Sequence, residues 1–228
     1  AGGTAQVDTT VATLNASGAS GSLFIGETDA VTLSSVTVAG VGADVTVVNA
    51  AGDMTVVGVS ATDQVNLNSA AGSILDDGVN ASVINAAGAT LTGANAVGAS
   101  GLNNEIDTTL GTLTATANAG SVFVGETDAI TLSNVTAIGG GNDVTVVNAS
   151  GDMTVVSVTA PDQVNLVSGG AILDDGVDAN RITASGATLS AGTGIGTGAA
   201  NGEVDTAVAT LTASGSNGSV FLGEVDAV

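Results

Sequence analysis

Apolar residues in this chain recur at every second position in short runs: Val31 and Leu33, Val45 and Val47, Val65 and Leu67, with Thr or Asn between them. Period two is the signature of a strand with one face buried, and helical spacing of three and four is absent from these runs. Gly, Ala, Ser and Asn fill the gaps, as expected of tight turns. Short phrases lie under one another: ATLNAS from Ala12, AVTLSS from Ala30, DMTVVG from Asp53, SILDDG from Ser73 and ATLTGA from Ala89. A second phrase follows each of them: SLFIG, DVTVV, DQVNL, SVINA and NEIDT. The pattern predicts a coil of roughly 20 residues with two main strands, the signature of a solenoid whose coils stack on one another. Leu14, Phe24, Leu33, Val47, Val56, Leu67, Leu75 and Ile84 are the expected inward residues.

A longer repeat overlies the short one. Residues 21–57 and 120–156 agree at 28 of 37 positions, an offset of 99 that becomes 98 at ILDDG, Ile74 against Ile172. The repeats run over about 7–105, 106–203 and 204–228, the third a partial copy. Five coils per repeat of about 98 residues would place Phe24, Phe123 and Phe221 at one recurrent spot, and equivalent residues of successive repeats in one stack. The expected architecture is therefore all-β: one continuous parallel β-solenoid over 1–228, a right-handed β-helix by its coil length. Tandem β-sandwiches are the rival arrangement for a unit of this size. The third copy stops inside a strand phrase, so AGGTAQ at one end and GEVDAV at the other are expected to abut further coils, of a longer chain or of a neighbouring subunit.

Composition sharpens this picture. Among 228 residues there are 34 Gly, 3 Phe, 1 Pro and no Trp, Tyr, His or Cys. Such a chain fills a narrow core with small and β-branched side chains. Asp and Glu number 22 against a single basic residue, Arg181, for a net charge of -21. Phosphate backbones are held by Lys and Arg, so nucleic acid and anionic membrane surfaces are excluded as partners. No run of 18 apolar residues exists to insert into a membrane as a helix. A secreted, extracellular or cell-surface setting suits the Thr-, Ser-, Asn- and Gly-rich composition.

The phrases SGSLFIGETDAVTLSS, ILDDGV and ATLSAGTGIGTGAANGEVDTAVATLTA resemble those of large repetitive bacterial surface proteins of the filamentous-haemagglutinin and β-helical adhesin type. The resemblance spans nearly the whole chain. It implies a long secreted shaft without catalytic residues.

The candidate chemistry is acidic. Asp76–Asp77 and its copy Asp174–Asp175 are the best paired carboxylates, but adjacent strand residues point to opposite faces and would converge only in a turn. A glycosidase needs an acid and a base across a cleft, and a lyase needs cations for its developing anion. Neither pattern is met, and no enzyme is expected. Calcium is the candidate cofactor, at Asp76, Asp77, Asp174 and Asp175, because it takes many oxygen ligands. Gly40, Gly42 and Asp44, with Gly139, Gly141 and Asp143, match three positions of a calcium-binding nonapeptide without its tandem copies. The plainer expectation is that Asp29, Asp44, Asp53 and Asp63 bond the backbone of their own turns. Thr112–Thr114, Thr188 and Thr210–Thr212 hint at an ice-binding rank. The expected function is thus a shaft or filament segment that stacks on itself. A calcium-dependent module for polysaccharide or ice is the alternative.

Overall fold

The structure, a computed structural model, describes residues 6–81, 83–101 and 103–225. Its strands form a single 21-stranded sheet wound into a parallel β-solenoid of about 10 turns. No helix occurs among the described residues. Each interior coil exchanges ladder hydrogen bonds with the coils before and after it, so the strands form one body rather than two sandwiches. Of the segments expected to abut further coils, AGGTAQ and GEVDAV, residues 1–5 and 226–228 lie outside the described residues.

One ladder shows how the core is built. Val31 pairs with Met54, Met54 with Ile74, Ile74 with Val97, and Val97 with Val122. The same column continues through Val144, Val164, Ala187 and Leu211. Its interior members are buried, and like apolar residues stacked at the parallel spacing of about 4.8 Å form a dry column.

Four steps of that column carry the chain from Val31 to Val122, so the coils are longer on average than the sequence phrases suggest. They are also unequal: Val7 pairs with Ile25, whereas Gly58 pairs only with Val83, across a distinctly longer stretch of chain. The long repeat is therefore not five coils, nor a whole number of them. Leu23, Val45, Val65, Ala89 and Leu113 form one column. Their copies Val122, Val144, Val164, Ala187 and Leu211 form the adjacent one. Each repeat writes its ladder one face further round the solenoid, and equivalent residues do not stack.

Six of the eight expected inward residues are buried: Leu14, Leu33, Val47, Val56, Leu67 and Ile84. Phe24 and Leu75 are not. Both stand one position from the true core residue, Ile25 and Ile74 respectively, and point outward, half-buried. Phe123 lies beside Ala99, Ser100, Gly101 and Glu105, outside the core too. Phe221 lies beside Thr197, Gly198 and Ala199. Phe123 and Phe221 thus lie against outer loops, and none of the three phenylalanines fills the centre.

Candidate functional site

The carboxylates gather where the coil outline is broken. Val97 pairs with Val122, yet Ile106, well beyond Val97 in the same coil, pairs with Val124. Two positions far apart in one coil thus face near neighbours in the next, and residues 99–101 and 103–105 stand out from the stack. Gly98 begins the excursion with φ +70, a left-handed conformation that suits glycine. Ala99 N donates to Asn104 O at 2.9 Å and closes it. The arrangement recurs at Ile195–Val220 and Val204–Leu222.

The excursion delivers Glu105 and Asp107 to the Asp76–Asp77 turn, and its copy delivers Glu203 and Asp205 to Asp174 and Asp178. Asp107 pairs along the ladder with Gly125. A Cβ on Gly125 would sit 2.9 Å from Asp107 Oδ1, so the glycine of the GETD phrase is the shelf on which this carboxylate lies. Asp107 Oδ2 is buried without a hydrogen-bond partner. Burial first, then the charges of Asp76, Glu105 and Asp77, push the Asp107 carboxyl up to about 6. Asp205 is raised by burial and by Asp174, Asp178 and Glu203, against the opposing charge of Arg181. Burial, with Asp77 and Asp175 adding to it, also raises Asp76 and Asp174.

The four residues singled out for calcium are engaged in their own turns. Asp76 Oδ2 accepts from Gly78 N at 2.6 Å and Asp77 Oδ1 from Val79 N at 3.1 Å. Asp174 and Asp175 repeat this with Gly176 and Val177, and Asp175 Oδ2 also accepts from Asn180 Nδ2 at 2.7 Å. Among the described residues no three carboxylates converge closely enough to hold a metal ion. Two of the acids expected to bond their own turns behave differently. Asp44 Oδ1 accepts from Gln64 N at 3.1 Å and Asp53 Oδ1 from Ser73 N at 2.8 Å, each one coil on. Asp143 and Asp152 do the same with Gln163 and Ala171. These aspartates clasp successive coils.

Sequence reasoning missed the most buried acids. Glu27 and Glu126 are 1% and 2% exposed. Glu126 Oε2 accepts from Thr108 Oγ1 at 2.8 Å and Leu110 N at 3.1 Å, and Oε1 from Thr127 N at 2.8 Å. Glu27 is held in the same way by Thr9, Val11 and Thr28. The glutamate belongs to an inward polar ladder, Thr108–Glu126–Asn148–Ser168, that stacks along one corner. Asn148 Nδ2 and Ser168 Oγ both donate to Gly151 O and so satisfy the turn. Burial raises the Glu126 carboxyl above its ordinary value despite these bonds. For Glu27 burial acts in the same sense, but the bonds from Thr9, Thr28, Val11 and Asp29 prevail and its carboxyl is lowered. The two differ in depth: among the described residues only the short Val7–Thr9 strand underlies Glu27, whereas Glu126 has long-stacked coils on both sides. The signal lay in the spacing, since Leu23, Ile25 and Glu27 share one parity.

A pH dependence follows. A carboxyl raised in the folded state binds its proton more tightly folded than unfolded, so stability increases as pH falls through the interval between the two values. For Asp107 that interval runs from 3.8 to about 6. The melting temperature should rise between pH 7 and pH 4.5, and Asp107→Asn should raise it at pH 7 and flatten the slope. A wild-type slope unchanged by Asp107→Asn would refute this assignment.

Comparisons with protein-family models, with curated proteins and with solved structures gave no match.

Proposed function

We propose that this chain is a non-catalytic shaft segment of a secreted cell-surface fibre, an adhesin or sheath. The observation that carries the reading is the unbroken column from Val31 to Leu211 and its continuation by each repeat onto the next face. A repeat that turns as it climbs presents every face in succession, which suits a rod engaged from all sides better than a single oriented cleft. The likeness of its phrases to β-helical adhesins supports the same reading. Self-association through stacked coils, or continuation within a longer chain, would extend the rod.

Electron microscopy of the native material tests the proposal. The expected images are unbranched rods whose length grows with the number of repeats, by about 4.8 Å per coil. Compact particles of constant size would overturn it.

The charge of -21 sets a second expectation. Carboxylates along a thin rod repel one another, and counter-ions relieve this. With the turn aspartates already engaged, divalent cations act here as shared counter-charge. Millimolar calcium and magnesium should raise the melting temperature equally and promote lateral association. A rise with calcium alone would instead indicate a ligated ion at Asp76–Asp77 and Asp174–Asp175.

A further inference from the structure

The winding of the solenoid assembles a surface that is dispersed in the sequence. On the outer face of the strands Val83–Gly93, Ile106–Ala117 and Ile130–Ala137, threonines from distant segments fall into ranks. One column runs Thr92, Thr116, Thr136, Thr159, Thr183 through five successive coils. Beside it run Thr46, Asn66, Thr90, Thr114, Asn134. A third holds Thr112, Thr131 and Thr154. Neighbours within a column are about 4.8 Å apart, and along the unbroken strand segments 88–93 and 112–117 neighbours are about 6.6 Å apart. Beyond them the register shifts at Leu113/Thr114 and the columns of Thr131 and Thr136 spread apart.

Three properties of this face point to its ligand. First, the hydroxyls of Thr90, Thr92, Thr112, Thr114, Thr116, Thr131, Thr154, Thr159 and Thr183 make no hydrogen bond to the described protein, unlike those of Thr9, Thr62 and Thr108. Second, the strand segments that build the face, 64–69, 88–93, 112–117 and 131–137, contain no charged residue, although 22 carboxylates crowd the chain. The complementary partner is neutral. Third, threonine is stiff at χ1, and the parallel ladder fixes its backbone, so methyl and hydroxyl groups recur at set intervals before any ligand arrives.

We propose that this face binds the surface of ice. The array with two fixed periods is centred on Thr90, Thr92, Thr112, Thr114 and Thr116. Its hydroxyls and methyls hold water in register, which a crystalline water surface can match and liquid water cannot. Little ordering entropy is lost because the array is preformed. A sugar chain is the weaker fit, because carbohydrate sites favour aromatic rings for stacking and the chain has no Trp or Tyr. This property is additional to the shaft role and independent of it.

The test is slow growth of ice from a solution of the 228-residue chain, with partition into the ice measured. The expected result is enrichment in the ice and faceting of single crystals. Thr114→Lys with Thr116→Lys, both outward, should abolish both effects while circular dichroism and melting stay native. Val41→Lys with Val79→Lys adds the same charge at exposed turn positions and should leave them intact. Exclusion of the wild-type chain from ice would overturn the proposal, as would enrichment of the Thr114/Thr116 variant. Retention on an insoluble neutral polysaccharide, or self-association through this face, would equally overturn it if ice enrichment were absent.

Discussion

Replacing Glu126 with Leu should loosen the coils around it at a cost of about 1–3 kcal/mol, because a buried donor left without an acceptor, here Leu110 N, costs about that much. The substitution removes the side-chain acceptor of Leu110 N and Asp128 N, whereas Thr108 Oγ1 keeps Gly125 O and Thr127 N keeps Thr108 O. Leucine nearly matches the volume, so lost packing contributes little. Glu126→Gln should cost less, since one oxygen remains, but its NH2 must face donors on one side. A raised carboxyl does not weaken this expectation. It means that the protonated form becomes tolerable in acid, where the donors still find acceptor oxygen. Coils in a solenoid are stabilised mainly by their neighbours, so the damage should be regional. Hydrogen exchange should accelerate in Ile106–Ala117 and Val122–Glu126 before it does in the coils of the first repeat. Unchanged protection in Glu126→Leu would mean that the inward ladder is dispensable.

Ile74→Asp should unfold the chain locally, whereas Leu75→Asp should change stability by about 1 kcal/mol or less, the usual range for outward positions. Ile74 is 0% exposed and stacks between Met54 and Val97. A carboxylate there has no cation or donor to meet, and an unpaired buried charge costs several kcal/mol. Leu75 points outward, where water can reach the carboxylate. Ile25→Asp and Phe24→Asp should show the same contrast. Urea titration of the four variants measures it. Equal destabilisation within either pair would place both residues of that pair in the core and contradict the register.

The contrast shows where sequence reading failed. In FI and IL two apolar residues adjoin, so period two holds for either choice of inward residue. The choice is made by the coil before and the coil after. Ile25 must pair with Val7 and Val47, and Ile74 with Met54 and Val97. Where the alternation is clean, as in Val31–Thr32–Leu33 or Val45–Thr46–Val47, the chain itself identifies the inward residues.

The acidic clusters were only half legible. Asp76–Asp77 stood out as a pair, but its partners Glu105 and Asp107 lie more than a full coil away along the chain. They arrive because residues between Val97 and Ile106 leave the stack, and no local signal marks that departure. The same holds for Asp44 and Asp53. Turn-forming aspartates are recognisable from sequence, but which backbone they bond depends on the height of the next coil.

The solenoid itself is written in the order of the residues. Period-two runs, small turn residues and a copied phrase leave stacked parallel strands as the consistent arrangement, because no other element buries so many short, narrow strands without aromatic filler. Phase is not written there, and folding in three dimensions supplies it. Turns of unequal length make coils of unequal length, so the long repeat advances by four coils and part of a fifth. That remainder sets which copies share a column, which threonines share a face and which carboxylates meet. It is a sum over all the turns, and no single stretch of sequence contains it.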